Sequence, residues 1–346
     1  MDLVVAGAGM AGLVAAARAL ELGASVSVYE KGSRAGGSML LSSGFAWRHR
    51  EFEKFREECP GGDPELQRVL FEQLDDALDW LEALGAPVLE RDTGNPLTVG
   101  RRFDVRALTE VLADEVRLGE PLLELPDGVP VVLATGGFQG DRSLVREHVT
   151  REPLLLRANP WSAGDGLRLG LAAGASLSSG MDEFYGRNMP APPARVSEDD
   201  FVPLAQLYAR HAIVENERGE RFEARAWSEI DVVQWTARQP GARAFYSVGD
   251  EALSERVRAR TVGEMIEAAE RAGARVERRE GITRVEVAAA ITTTLGGLAI
   301  DTSARAADGV FAAGADAGGI STGGYASGLA AALVFGRIAA ESALER

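Results

Sequence analysis

A single cysteine, Cys59, stands in 346 residues, which excludes an intrachain disulfide, a cysteine-ligated iron–sulfur cluster and a c-type haem attachment site. Histidine is scarce too. His49, His148 and His211 match no metal-ligand spacing, so they read as ordinary surface or interface residues and no metal site is expected. No apolar run approaches the ~20 residues that span a bilayer, and the first apolar stretch has no basic segment before it. Without membrane insertion or a signal peptide, a soluble cytoplasmic chain is the expectation. Basic clusters are also missing: 37 Lys and Arg against 52 Asp and Glu give a net charge of −15 spread along the chain. That distribution suits neither nucleic acid nor an anionic membrane surface, and it points to a small-molecule ligand. Neither a tandem repeat nor a low-complexity linker occurs.

What is present begins with MDLVVAGAGMAGLVAAARALELGASVSVYEKG. Leu3 to Ala6 and Ser25 to Tyr29 read as short buried strands, with an alanine-rich helix from Met10 to Leu22 between them that stops near Gly23. This is a βαβ unit whose glycines have separate uses. Gly7 allows a tight turn, Gly9 lets the backbone approach a pyrophosphate, and Gly12 lets helix and strand pack closely. Glu30, 18 residues past Gly12, stands where a carboxylate would bond ribose hydroxyls. With Ala11 and Lys31 beside them, these residues form a candidate dinucleotide loop.

Farther on, Pro64 to Leu84 carries apolar residues at helical spacing and then Gly85 and Pro87, an amphipathic helix with its stop signals. VPVVLATGGF (129–138) and GVFAAGAD (309–316) are strands running into glycine turns that return to the sheet. A final helix over about 326–343 is introduced by STGGYASG, and its free N–H groups would face whatever lies at that mouth. Roughly 151 to 290 has a different texture, richer in proline and aromatics, and reads as an inserted second domain that includes the strand RAFYSV and a helix over Arg260 to Ala272.

The order of GSRAGGSMLLSSGFAW (32–47), ATGGF (134–138), SAGDGLRLGLAAGA (162–175), ERGERF (217–222), TTTLGGLAIDTSARA (292–306) and GVFAAGADAGG (309–319) resembles the fumarate reductase and succinate dehydrogenase flavoprotein superfamily. Within it, the chain looks most like the soluble single-subunit branch, with 3-ketosteroid dehydrogenases and tricarballylate-type dehydrogenases. The resemblance implies an α/β fold: a Rossmann-like FAD-binding domain over 1–150 and 291–346 with an inserted α+β capping (substrate) domain over 151–290. It also implies FAD on Gly7, Gly9, Ala11, Gly12, Glu30 and Lys31, then Gly36, Gly37, Ser38, Ser42 and Ser43 along the ribityl chain and flavin. Thr135, Gly136, Asp165, Gly314 and Asp316 join this set, and Ser327, Gly328 and Leu329 open the last helix toward the flavin. Ser42 and Ser43 could equally cap a local loop.

Several departures from the family pattern bear on function. No histidine lies between Gly36 and Gly44, so the flavin is expected to be non-covalent. Where relatives carry a glutamate after AAG, Ala315 stands here and Asp316 follows, leaving open whether Asp316 reaches the ribityl hydroxyls. The stretch from Val116 to Val131 is short. The arginine proton donor expected after a GKRF-like motif corresponds to Glu229, a histidine pair to Thr292 and Thr293, and a carboxylate-clamping arginine to Tyr325. Two carboxylates would be poorly compensated there, so a neutral carbonyl suits the remaining set better. The expected reaction forms or reduces a C=C bond adjacent to a carbonyl by hydride exchange with flavin N5.

Tyr325 is the candidate carbonyl polariser, with a core or ribityl-facing role as its alternative. Thr294 stands beside it in the candidate set, and Tyr185, Tyr208 and Tyr246 are candidate proton partners. Arg221 either orients an acidic group or pairs with a glutamate on its turn. Rival readings are a fumarate-type dicarboxylate or enoate reductase, a non-catalytic flavin-binding protein and, last, a nicotinamide-only enzyme. No second dinucleotide motif or haem site is present, so an unidentified electron donor or acceptor is implied.

Overall fold

The computed structural model describes residues 1–224 and 228–345. The chain opens with β1 (Leu3–Ala6), α1 (Met10–Glu21) and β2 (Val26–Glu30). There follow β3 (Phe45–His49), α2 (Phe52–Glu58), α3 (Pro64–Ala83), β4 (Val88–Glu90), β5 (Thr98–Phe103) and α4 (Val105–Leu112). After β6 (Val116–Leu118) and β7 (Val131–Leu133) come α5 (Arg142–His148), β8 (Leu155–Leu156), α6 (Asp165–Ala172) and β9 (Phe184–Pro190). β10 (Ile213–Glu215), α7 (Glu229–Ala237), β11 (Arg243–Gly249), β12 (Arg256–Val257), β13 (Arg260–Thr261), α8 (Val262–Arg271) and β14 (Val276–Arg279) lead to the long β15 (Ile282–Thr294). The chain closes with β16 (Arg305–Ala307), β17 (Val310–Ala312) and α9 (Gly328–Leu344).

Two compact units result: Met1–Leu144 with Asn159–Glu183 and Thr293–Arg346, and Val145–Ala158 with Phe184–Thr292. The expected boundaries at 151 and 290 differ from these chiefly over 159–183, which is part of the first unit. Three bonds tie that segment to the turn after β7: Gly140 N donates to Ser162 O (2.7 Å), Gly164 N to Gly137 O (2.9 Å) and Gly166 N to Thr135 Oγ1 (2.9 Å).

In the first unit a six-stranded sheet runs in the order β16-β17-β7-β1-β2-β6. Only β16 pairs antiparallel, and the central strands β1, β7 and β17 are buried at every position, as parallel strands covered on both faces require. α1 packs closely on this sheet because Gly12 has no side chain: a Cβ there would lie 1.9 Å from the carbonyl oxygen of Gly7. α1 also packs on α9, an apolar helix buried almost all round. α3 begins at Asp63, whose carboxylate accepts from the N–H groups of Glu65 and Leu66, and Pro64 occupies its first turn. Its buried stripe of Leu66, Leu70, Leu74, Ala77, Leu78 and Leu81 joins the same core, beside a small sheet in the order β3-β5-β4.

The second unit is built on an antiparallel sheet in the order β10-β11-β15-β14, with β8 and β9 also pairing on β15. Tyr208, Tyr246, Val232, Val285, Val287 and Met265 form its core. The helix expected from Arg260 starts at Val262, because Thr261 and Glu264 form a reciprocal capping box and Arg260 pairs in β13.

Candidate functional site

The βαβ loop makes a glycine-walled mouth. Gly7 turns at φ +100°, and a Cβ on it would strike Ala134 O at 2.2 Å, so only glycine lets β1 run this close to the end of β7. Gly9 precedes α1 with ordinary φ of −80°, and no atom lies within 4 Å of where its Cβ would be. Gly37, which opens a short 3-10 turn over Gly37–Leu41, stands across from it, its would-be Cβ 3.1 Å from the Gly9 Cα. No side chain caps α1 and no acid lies in its first turn. Glu30 lines the same mouth, accepting from Ala8 N (2.8 Å) and Gly32 N (2.6 Å) with one oxygen each, so each oxygen keeps a lone pair for a further donor.

Around this mouth the other expected residues divide by what they touch. Ser38 Oγ accepts from Asn159 Nδ2 (2.8 Å), and Asn159 Oδ1 in turn takes the N–H groups of Trp161 and Ser162 (3.0 Å each). Asn159 was not among the expected residues; the Asn-Pro pair that begins its turn was the available signal. Lys31 and Asp165 form an ion pair of 2.8 Å. Ser42 Oγ donates to Met39 O (2.7 Å) and accepts from Gly44 N (3.1 Å), the local loop-capping geometry.

Asp316, whose reach toward the ribityl hydroxyls the sequence left open, lies in the interior. It is 1% exposed, and its carboxylate takes the N–H and hydroxyl of Thr135 and the N–H of Gly137. A Cβ on Gly166 would lie 2.3 Å from its Oδ2. Burial raises its carboxyl above the usual range, opposed by the bonds from Gly137 and Thr135. Its oxygens therefore clamp the turn that carries Thr135 and Gly136 to the start of α6. The buried Gln139 Oε1 and Thr294 Oγ1 have no hydrogen-bond partner, and both would crowd a Cβ on Gly137, at 2.9 and 2.6 Å.

At the mouth of α9 two of the expected free N–H groups, those of Gly328 and Ala330, are engaged. Ser327 Oγ accepts from Ala330 N (3.3 Å) and Tyr325 Oη accepts from Gly328 N (3.1 Å). Ser327 Oγ also donates to Phe45 O (3.1 Å). Tyr325 stands edge-on to Trp47, ring centroids 6.3 Å apart, and Trp47 to His49 at 5.4 Å. His49 is thus buried in an aromatic cluster that includes Phe55, not at the surface as expected; burial lowers its pKa, and neither ring nitrogen has a hydrogen-bond partner. Cys59, which accepts a hydrogen bond from the backbone of Tyr325, is pushed up to about 12 by burial and by Glu58.

Tyr185 and Arg221 belong to the second unit. Tyr185 is half-buried in β9 beneath Arg187, whose guanidinium lies 4.6 Å from its ring centroid. Arg221 is exposed, bridging backbone-to-backbone with Glu215 across a turn in which Gly219 N donates to Asn216 O (3.1 Å). ERGERF is therefore a hairpin return. Tyr208 and Tyr246 are fully buried core residues, edge-on at 5.4 Å, and burial raises both phenols well above their usual range. They are unsuited to accept a substrate proton.

A family model described as an FAD binding domain matches residues 2–120 and 128–329. The chain belongs to this FAD binding domain family. Among curated proteins it is similar to a fumarate reductase (cytochrome) of Shewanella frigidimarina, 27% identical over 275 residues, covering 64% of this chain and 47% of that protein. It thus spans about half the length of that curated relative. Among solved structures, the open conformation of a flavocytochrome c3 fumarate reductase matches with TM-score 0.73 and 21% identity over 99% of this chain and 78% of the other. A 3-ketosteroid-Δ4-(5α)-dehydrogenase from Rhodococcus jostii RHA1 matches with TM-score 0.72 and 20% identity, covering 100% and 97%. The α1 mouth fits FAD: two glycines wall it, space for one Cβ stands open at Gly9, and the helix start above it carries neither cap nor acid, as a pyrophosphate requires.

Proposed function

We propose that the protein is an FAD-dependent oxidoreductase that forms or reduces a carbon–carbon double bond next to a carbonyl group of a small molecule. The observation that carries this reading is the uncapped, glycine-walled mouth of α1 in a chain of the FAD binding domain family. Likeness to proteins named fumarate reductase and 3-ketosteroid dehydrogenase supports the choice of bond. When bound, FAD supplies the hydride acceptor or donor. Gly7, Gly9 and Gly12 would hold the pyrophosphate, Glu30 the ribose, and Gly36, Gly37 and Ser38 the chain beyond it. With no histidine from Gly36 to Gly44, the hold is non-covalent. Tyr325 is the proposed polariser of the substrate carbonyl: its oxygen accepts the Gly328 N–H at the positive end of α9, which favours donation of its own proton to an oxygen gaining charge. Electrons would reach or leave the protein through a diffusible partner or another protein.

The test is an anaerobic absorbance screen of the flavin-loaded protein with cyclic ketones, enones, and mono- and dicarboxylic acids. Bleaching by a saturated ketone, or reoxidation of the reduced protein by an enone, is the expected result. Turnover restricted to fumarate with a reduced viologen would replace it with the dicarboxylate reading that the curated relative's name favours. A flavin spectrum indifferent to every compound would leave a flavin-binding protein without this activity.

A further inference from the structure

One aromatic ring of the first unit stands beside Glu30 with no part in the chemistry above. Trp161 is half-buried, and the benzene half of its indole lies against Gly32: a Cβ on that glycine would come within 2.6 Å of Cε3 and 2.8 Å of Cδ2. The same Cβ would stand 3.0 Å from Glu30 Oε1, so ring and carboxylate flank a single glycine at the end of β2. A side chain at position 32 would push them apart.

The ring is held in this place from both ends of its turn. Asn159 Oδ1 takes the Trp161 N–H (3.0 Å) while Asn159 Nδ2 donates to Ser38 Oγ, and Lys31 pairs with Asp165 at 2.8 Å. The chain from 159 to 165 is thereby fastened to the loop that follows β2. Arg34, exposed on that loop, has its guanidinium 5.9 Å from the indole centroid. Glu30, Gly32, Arg34 and Trp161 all belong to the first unit.

In an adenine dinucleotide the ribose carries its base directly, so the acid that bonds the ribose hydroxyls and the surface that takes the base must be neighbours. A purine is bound well through its flat face, which an aromatic side chain matches and a nearby guanidinium favours. We propose that Trp161 is the stacking platform for adenine, an inference that rests on the assignment of the α1 mouth to the FAD pyrophosphate. Glu30 then holds the ribose and Trp161 the base, and the whole ADP half is bound by the first unit. Free ADP is accordingly a ligand of the flavin-free protein and a competitor of FAD.

Calorimetric titration of the flavin-free protein with FAD and with ADP tests this. Trp161→Ala should weaken both about 10- to 100-fold and by the same factor, because the two ligands share the adenosine. Trp161→Phe keeps a flat ring and should lose about 5-fold or less. Tryptophan emission gives a second readout that does not depend on the alanine variant folding. ADP should quench the parent, in which Trp161 is one of five tryptophans, and should leave the emission of Trp161→Phe unchanged although that variant binds it. Unchanged ADP affinity in Trp161→Ala overturns the proposal, as does quenching that survives in Trp161→Phe. If the parent binds neither FAD nor ADP, the FAD assignment falls and this proposal with it; a parent that binds both, beside an indifferent Trp161→Ala protein, removes this proposal alone.

Discussion

The amino ends of α1 and α9 both follow glycine-rich loops, GAGMAG and STGGYASG, yet they finish in opposite states. α1 starts on Gly9 with no side-chain cap, whereas the α9 start is closed by Ser327 and Tyr325, which take the N–H groups of Ala330 and Gly328. Every helix leaves its first N–H groups without backbone partners, so what the adjoining residues offer decides their use. Glycine and alanine offer no oxygen, and the α1 donors are left for a ligand. Serine and tyrosine do, and at α9 the ligand would meet the side chains first. In this chain the small-residue loop before α1 leaves the helix donors to a ligand, whereas the hydroxyls that stand just before α9 take two of its donors.

Breaking the comparison at its tightest point should have the largest effect. Gly12→Ala puts a methyl 1.9 Å from a backbone oxygen that cannot move without displacing β1, so a loss of about 3 kcal/mol or more is expected in denaturant unfolding, with flavin binding lost as well. Gly9→Val separates fold from ligand: the site is open and the backbone unstrained, so the flavin-free protein should unfold within about 1 kcal/mol of the parent while FAD no longer co-purifies. Retained flavin in that variant would mean that the α1 mouth is not the pyrophosphate cradle.

The α9 side sharpens the contrast through smaller effects. Tyr325→Phe removes an acceptor from Gly328 N and should cost about 1 kcal/mol of stability; if the hydroxyl also polarises substrate, stopped-flow flavin reduction should fall on the order of 10²-fold. Ser327→Ala should cost about 1 kcal/mol by leaving Ala330 N and Phe45 O without its hydroxyl, with the reduction rate unchanged, since that hydroxyl is already taken up by these two backbone groups.

A pH dependence is expected as well. Cys59 is raised to about 12 in the fold, while an unfolded thiol ionises at about 8.5. The stability linked to it is fully present below the unfolded value and is lost as pH climbs toward the folded one. Resistance to thermal unfolding should therefore fall in alkaline buffer, less so in Cys59→Ala, and the native thiol should resist alkylation at neutral pH.

Much of the first unit was legible residue by residue. β1, α1, α3 and β17 fall where periodicity and stop signals put them, because buried strands, apolar stripes and caps are written within a few positions of each other. The glycine roles at 7 and 12 were also readable, since backbone turns and helix–strand packing admit no other residue there. Less was legible at Ser42, where a loop cap and a flavin contact demand the same residue type, and at Tyr185, Tyr208 and Tyr246, where burial separates a half-exposed ring from two core rings.

The sequence by itself determined the βαβ start, the glycine mouth and the family, all of which rest on neighbours in the chain or on the order of motifs. Tertiary structure decided the rest. Asp316 finds Thr135 across 181 positions, His49 is buried against Trp47 and Phe55, and residues 159–183 pack in the first unit. Those outcomes depend on which distant groups burial brings together and how much water it removes, and neither quantity is encoded in local spacing.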